Sequence, residues 1–307
     1  MSFEWMGHVK TLRHALISAK VINEEPLRIG APKEFIVLED EVLKTNLEGK
    51  EVPVIPGSSW KGVFRSGSVT IARSSGINFC DGLPKSTCLE GREFHQAEGK
   101  SEGWVRKLDM IISGEVMLCL GCLIFGSPSF HSHVFFTDSY PIGDFSLGYR
   151  TGTAISRRTG AAQRRSLYTI EYVEPGCEFS FEMRAENLPN YALGLISSVI
   201  SLLNLGMLKV GGQKSRGFGK VRFEDLRIKV YSMSHEKYGV SKGKLKPLDP
   251  IDLEVPWLGR EGEEAIVEGE EARTQLEEFK RAWRSAEEKI RKISLEGWAW
   301  IAAGRSG

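Results

Sequence analysis

Long hydrophobic runs are missing from this chain of 307 residues: none is long enough to cross a bilayer, and the opening MSFEWMGHVKTLRH lacks the apolar core of a secretory signal. These absences argue against a helical membrane span and against export, and they predict a soluble, cytoplasmic protein. An excess of one charge is missing too. Lys and Arg number 41 against 40 Asp and Glu, a formal net charge of +1, so any polyanion must be met by cations clustered locally. Cysteine is scarce, at five residues, too few for a disulfide framework at this length. The frames GxxxxGK[ST], HExxH, HxE with CxxC, and GxSxG are all absent. Nothing therefore points to a phosphate-cradling P-loop, to catalytic zinc or to a Ser-His-Asp hydrolase. What is present is a 41% hydrophobic content, enough for one large core or two small ones.

The apolar pattern divides the chain. HALISAKVINEEPLRIG mixes alternation with β-branched residues and predicts a long first strand entering a turn. Ala31 to Pro53 is charged and without lasting period. Ser58 and Ser59 are candidate N-caps for a helix carrying Trp60, Val63, Phe64, Val69 and Ile71. A loop-rich insertion follows, and then HVFFTDSYPI, which reads as a strand. SLYTIEYVEPGCEFSFEMRAE gives two alternating runs around Pro175 and Gly176, the pattern of a hairpin. Leu193, Ile196, Ile200, Leu203 and Met207 recur at helical spacing from about Asn190 to Leu208, and VRFEDLRIKVY alternates as a last strand. This order predicts an α+β fold with a modified ferredoxin-like, RNA-recognition-motif-like core. The core would span 1–232 and include an insertion at about 77–133. Residues 233–271, rich in Lys, Pro, Gly and acids, read as a linker or extended arm. In 272–307, Leu276, Phe279, Trp283, Ala286, Ile290 and Ile293 form a helical stripe that must pack on its own domain or on a neighbouring subunit.

Three groups of residues carry candidate chemistry. The loop Gly211-Gly212-Gln213-Lys214-Ser215-Arg216-Gly217-Phe218-Gly219 combines glycines, which permit close backbone approach to a phosphate, with cations at Lys214 and Arg216 and an aromatic face at Phe218. It would bind an RNA backbone or serve as a plain turn between helix and strand. Lys61 and Arg65 stand one helical turn apart after the candidate caps, where backbone N–H groups and cations can converge on phosphates. Cys119-x-x-Cys122, with Cys80 and Cys88 upstream, lets four thiolates reach one structural zinc; His95, His131 and His133 are alternative ligands, and free or buried thiols the plain alternative.

The glycine loop together with Ile55-Pro56-Gly57-Ser58-Ser59-Trp60-Lys61-Gly62 resembles two signature segments of the RAMP superfamily. Cys122 to Ser127, Ile155 to Ala162 and Leu167 to Gly176 resemble the branch that builds the backbone of type III CRISPR effector complexes, the likeness running from about Ala15 to Tyr231. The resemblance implies subunits aligned along a guide RNA, with a thumb-like hairpin that interrupts the guide–target duplex. It implies RNA contacts by Ser58, Ser59, Lys61, Arg65, Gly212, Lys214, Arg216 and Phe218, and by Arg157, Arg158, Arg164 and Arg165 toward the thumb. It also implies target-RNA cleavage dependent on Mg²⁺ or Mn²⁺, needing an aspartate in the loop after the first strand. Asp40 is the sole aspartate there, although its setting Leu38-Glu39-Asp40-Glu41 departs from the family's usual wording. The expected partners are guide RNA, single-stranded target RNA, other effector subunits and copies of this chain, with no membrane. A non-cutting architectural subunit is the alternative. A precursor-processing endoribonuclease ranks third, because the only histidine near the loop, His235, lies beyond the last strand.

Overall fold

A computed structural model of the chain describes residues 3–8, 10–30, 39–82, 88, 118–127, 130–162 and 168–296. Its elements in chain order are β1 (Arg13–Asn23), β2 (Glu39–Asp40), β3 (Lys44–Leu47), β4 (Lys50–Pro53), α1 (Gly57–Ser74), α2 (Leu120–Phe125), β5 (Val134–Phe136), β6 (Leu147–Gly152), β7 (Tyr168–Val173), β8 (Glu178–Glu186), α3 (Asn190–Asn204), β9 (Val221–Ser232), β10 (Val240–Ser241), β11 (Lys244–Leu245), β12 (Val255–Pro256), β13 (Glu264–Glu268) and α4 (Gly269–Glu296).

The alternation of β1 buries Ala15, Ile17 and Val21, and this strand becomes the centre of a five-stranded antiparallel sheet in the order β13-β9-β1-β8-β5. The register pairs Ile17 with Met183 on one side and with Ile228 on the other. Residues of like face therefore form continuous apolar rows across the sheet. Helix α1 lays Trp60 and Phe64 on that face, Trp60 edge-on to Phe181 at 5.1 Å, and the Trp60 indole donates to Ser139 Oγ at 2.7 Å. α3 packs beside it. The stripe Leu276, Phe279, Trp283, Ala286, Ile290 and Ile293 of α4 is buried, and α4 lies against α3 of its own chain.

Three local expectations are corrected. Ser58 and Ser59 do not cap α1: Pro56 holds the N-cap position without a side-chain bond, and Asp138 Oδ1 accepts the Gly57 N–H at 2.8 Å. A carboxylate distant in sequence does the capping. The runs on either side of Pro175-Gly176 do not pair as a hairpin. β8 joins the main sheet, whereas β7 lies in a second sheet of order β2-β7-β6, and the Gly176 N–H donates to the Asn23 carbonyl at 2.8 Å, where the chain crosses from one sheet to the other. The hairpin in this region is β6–β7 instead. Residues 233–271, expected as a linker or arm, supply β10–β12 and the edge strand β13. Asp249 and Asp252 tie that segment down. Asp252 Oδ2 accepts N–H groups from Asn190 at 3.0 Å and Leu248 at 2.9 Å, and Asp249 Oδ2 accepts from the Trp5 indole and the Tyr191 hydroxyl, each at 2.8 Å.

Candidate nucleic-acid interface and cysteine site

The glycine loop after α3 is a fixed surface. Gly212 donates to the Arg28 carbonyl at 2.8 Å and Gly219 to the Pro26 carbonyl at 3.0 Å, which lays the loop along the exit of β1. Gly211 and Gly219 have φ of +80° and +90°, and a Cβ on either would overlap a backbone carbonyl oxygen, of Arg28 or Val210. Lys214 and Arg216 lie exposed on one 3-10 turn, Arg216 donating to the Tyr168 hydroxyl at 2.9 Å. Phe218, expected as a stacking face for bases, is 1% exposed. It turns inward from the loop, edge-on to Tyr172 at 5.5 Å and under the Arg150 guanidinium at 4.8 Å. It anchors the loop to the β6–β7 hairpin and offers RNA no free face.

Between this loop and the first turns of α1 runs a groove of about 360 Å³, lined by Ile29, Gly30, Ser59, Gly62, Gly212 and Lys214 among others. The two sequence segments are thus brought face to face. Neither Lys61 nor Lys214 has an acidic partner among the described residues. Lys61 is half-buried, and burial, followed by repulsion from Arg65, lowers its pKa below the usual lysine value. Such a cation gains more from an anion than a fully hydrated one does. Neither Lys61 nor Arg65 is among the residues that line the groove, and Arg65 reaches toward the cysteines. Its Nη1 donates to the Gly126 carbonyl at 3.0 Å, and its Nη2 sits 3.8 Å from Cys122 Sγ and 3.9 Å from Cys80 Sγ. The face of the main sheet away from the helices is self-neutralised: Lys20 pairs with Glu178 at 3.2 Å, Lys229 with Glu264 at 2.6 Å and Arg184 with Glu186 at 3.1 Å. The groove, and not that face, presents unmatched positive charge.

The second sheet positions the remaining candidates. β2 pairs in parallel with β7, which sets Asp40 opposite Ile170, and Ile170 faces Arg150 on β6; the Asp40 side chain lies outside the described residues. Glu171, next along β7, is 2% exposed and was not singled out in the sequence. It accepts from Val42 N–H at 2.9 Å, Lys44 Nζ at 2.8 Å and Tyr149 Oη at 3.0 Å. Burial pushes its pKa up, but these donors, led by Lys44, hold it below the usual carboxylate value. It therefore fixes the segment carrying Asp40 to the hairpin. Arg157 and Arg158 are exposed at the tip of β6–β7, in a turn closed by Gly160 N–H to the Ser156 carbonyl at 2.8 Å. Arg164 and Arg165 lie outside the described residues, as does His95.

Cys80, Cys88, Cys119 and Cys122 converge, all four Sγ atoms within 4.8 Å of one another. Tetrahedral zinc with Zn–S of ~2.3 Å requires sulfurs ~3.8 Å apart; here Cys80 lies 3.2 Å from Cys122 and 3.6 Å from Cys119. The other thiols, Cys119 first, hold the Cys80 thiol far below its ordinary pKa, while the same crowding pushes Cys88 and Cys122 well above theirs. Cys119, held down to about 7 chiefly by Cys122, also favours its thiolate, whereas Cys88 and Cys122 need a cation to lose their protons, so the donor set fits a thiophilic divalent metal. His131 and His133 are not part of the cluster.

No curated protein matches the sequence. Among solved structures, the chain is similar to one in the cryo-EM structure of the Type III-B Cmr-beta complex bound to cognate target RNA. That pair shares 14% identity at a TM-score of 0.43, over 70% of this chain and 61% of that one. A family model described as the RAMP superfamily matches residues 24–222. Because that match takes in both walls of the groove and the whole β6–β7 hairpin, and extends over more than half of the sequence, the chain belongs to the RAMP superfamily.

Proposed function

We propose that this chain is a guide-RNA-binding backbone subunit of a type III CRISPR effector complex that cuts the target RNA paired to its guide. The observation that carries the reading is the groove between α1 and the glycine loop, where Ser59, Gly212 and Lys214 line one channel. Glycine walls let a sugar-phosphate backbone approach the main chain, and the unmatched Lys214 replaces a counterion. Such contacts read shape and leave sequence to base pairing. The order β9-β1-β8-β5 around α1 and α3 supports a modified ferredoxin-like core. In this reading β6–β7 is the thumb, and Arg157 and Arg158, with Arg164 and Arg165, meet the guide–target duplex at its tip.

Cleavage is assigned to Asp40, held midway along the paired strands of that hairpin by the pairing of β2 with β7. A bound Mg²⁺ or Mn²⁺ would offset the negative charge that develops on the scissile phosphate. Asp40 supplies a hard oxygen ligand, and the Glu171 bonds keep its strand in place. The cysteine cluster holds structural zinc, with the Arg65 guanidinium offsetting part of the thiolate charge. The test is cleavage of target RNA by the reconstituted guide-loaded complex with Mg²⁺ or Mn²⁺. Asp40→Ala is expected to abolish the cuts made by this subunit while guide retention stays unchanged. Undiminished cutting would remove Asp40 from the mechanism, and a wild-type complex that binds target without cutting would leave an architectural subunit.

A further inference from the structure

Where α3 ends, the chain turns through Leu205 and Gly206 and presents Met207, which at 72% exposure is the most exposed large apolar side chain among the described residues. Met207 N–H and Leu208 N–H both donate to the Leu202 carbonyl, at 3.0 and 3.1 Å, which ties the backbone of the turn to the end of α3. Met207 lines a second concavity of about 350 Å³, with Val63, Ser66, Leu208, Lys214 and Ser215. Val63, Ser66 and Lys214 also line the glycine-walled groove. The two compartments therefore adjoin, one mainly apolar and one of glycine, hydroxyl and cation, with Lys214 at their junction.

A nucleotide has the same division, an apolar-faced base joined to an anionic phosphate. We infer that the Met207 pocket receives an unstacked nucleobase of the RNA strand whose phosphate backbone occupies the adjoining groove. This rests on the RNA-binding reading above and adds a base subsite to it. The thioether lies against a ring face, a contact to which its polarizability suits it. Ser66 and Ser215 can each donate or accept, so the pocket grips a base without selecting one. Its polar groups demand no particular donor pattern, which fits a protein that leaves sequence to pairing. Lys214, at the boundary, meets the phosphate of the same nucleotide.

The experiment measures fluorescence anisotropy of mixed-sequence single-stranded RNA with the full chain, across a salt series, using Met207→Ala, Lys214→Ala and an RNA of the same length made abasic throughout. Thermal unfolding by circular dichroism confirms that the variants are folded, as expected for exposed positions. Met207→Ala should weaken binding by about two- to tenfold, with the slope of log affinity against log salt unchanged. Lys214→Ala should weaken binding and lower that slope by about 0.7. On abasic RNA the Met207→Ala effect should vanish. Wild-type affinity in Met207→Ala, or an effect that persists undiminished on abasic RNA, would overturn the base pocket while a Lys214 effect left the groove standing. Loss of both effects would overturn the groove as well.

Discussion

His133 is fully buried, its Nδ1 2.9 Å from the Glu186 carbonyl and its ring stacked on His8 at 4.2 Å. Burial, and then the neighbouring His8, push its pKa down to about 4; that of His8 is lowered as well, chiefly by burial. An unfolded chain, with histidine near ~6.5, binds a proton across the interval where the folded chain refuses it. Stability should therefore rise with pH from about 4 to about 6.5 and level off above, a span on the order of 3 kcal/mol for His133. Urea unfolding at pH 7 and pH 5 should show the difference, and His133→Asn should flatten the slope to what His8 leaves. Single residues were unevenly legible. Ser59, Gly212 and Lys214 were picked out by type and position, and the fold lines one groove with all three. Phe218 could not be placed, since its burial depends on Tyr172 and Arg150 from another sheet. Glu171 gave no local signal, its donors lying 22 to 129 positions away.

At the scale of elements, period was a good guide and partnership was not. α1, α3 and α4 fell where apolar residues recur every three or four positions, because that spacing alone dictates which side of a helix must be buried. The strands β7 and β8 were recognisable by alternation, but alternation fixes the faces of a strand and leaves its neighbours open; hence a supposed hairpin was two strands in two sheets. The cysteine site was legible as a set, Cys80 and Cys88 with the CxxC pair, and the fold brings those four sulfurs together. Purified protein should hold about one equivalent of zinc. Cys119→Ser should lose it, and Arg65→Gln, which removes the charge facing two sulfurs, should weaken retention against a competing chelator. Zinc content below about a tenth of an equivalent in the wild type would dismiss the metal.

For the whole molecule, the decisive contact is Arg13, which is 1% exposed. It donates to the Leu188 carbonyl, to Asn190 Oδ1 at 2.7 Å and to the Lys246 carbonyl at 2.8 Å, and its charge is met by Asp252 and Asp249. The first strand, the start of α3 and the segment after β9 are thereby joined in one polar knot. Asp252→Ala removes the larger of the two counter-charges of that buried guanidinium, together with the acceptor of the Asn190 and Leu248 N–H groups, and should cost about 3 kcal/mol in urea unfolding. It should do so within a single transition; a separate early step would identify 233–268 as an independent unit. None of this was legible in a lysine- and proline-rich stretch that has no apolar period.

The same topology governs how the chain comes into being. β1 is the central strand, yet its partners are β8, reaching Glu186 opposite His14, and β9, reaching Ser232 opposite Arg13. At ~5–20 residues per second on the ribosome, the strand made first waits about 10 to 40 s for its second neighbour. Both its hydrogen-bonding edges are open to other nascent chains until β8 is made, and one stays open until β9 follows, so cellular yield depends on what shelters β1 during synthesis.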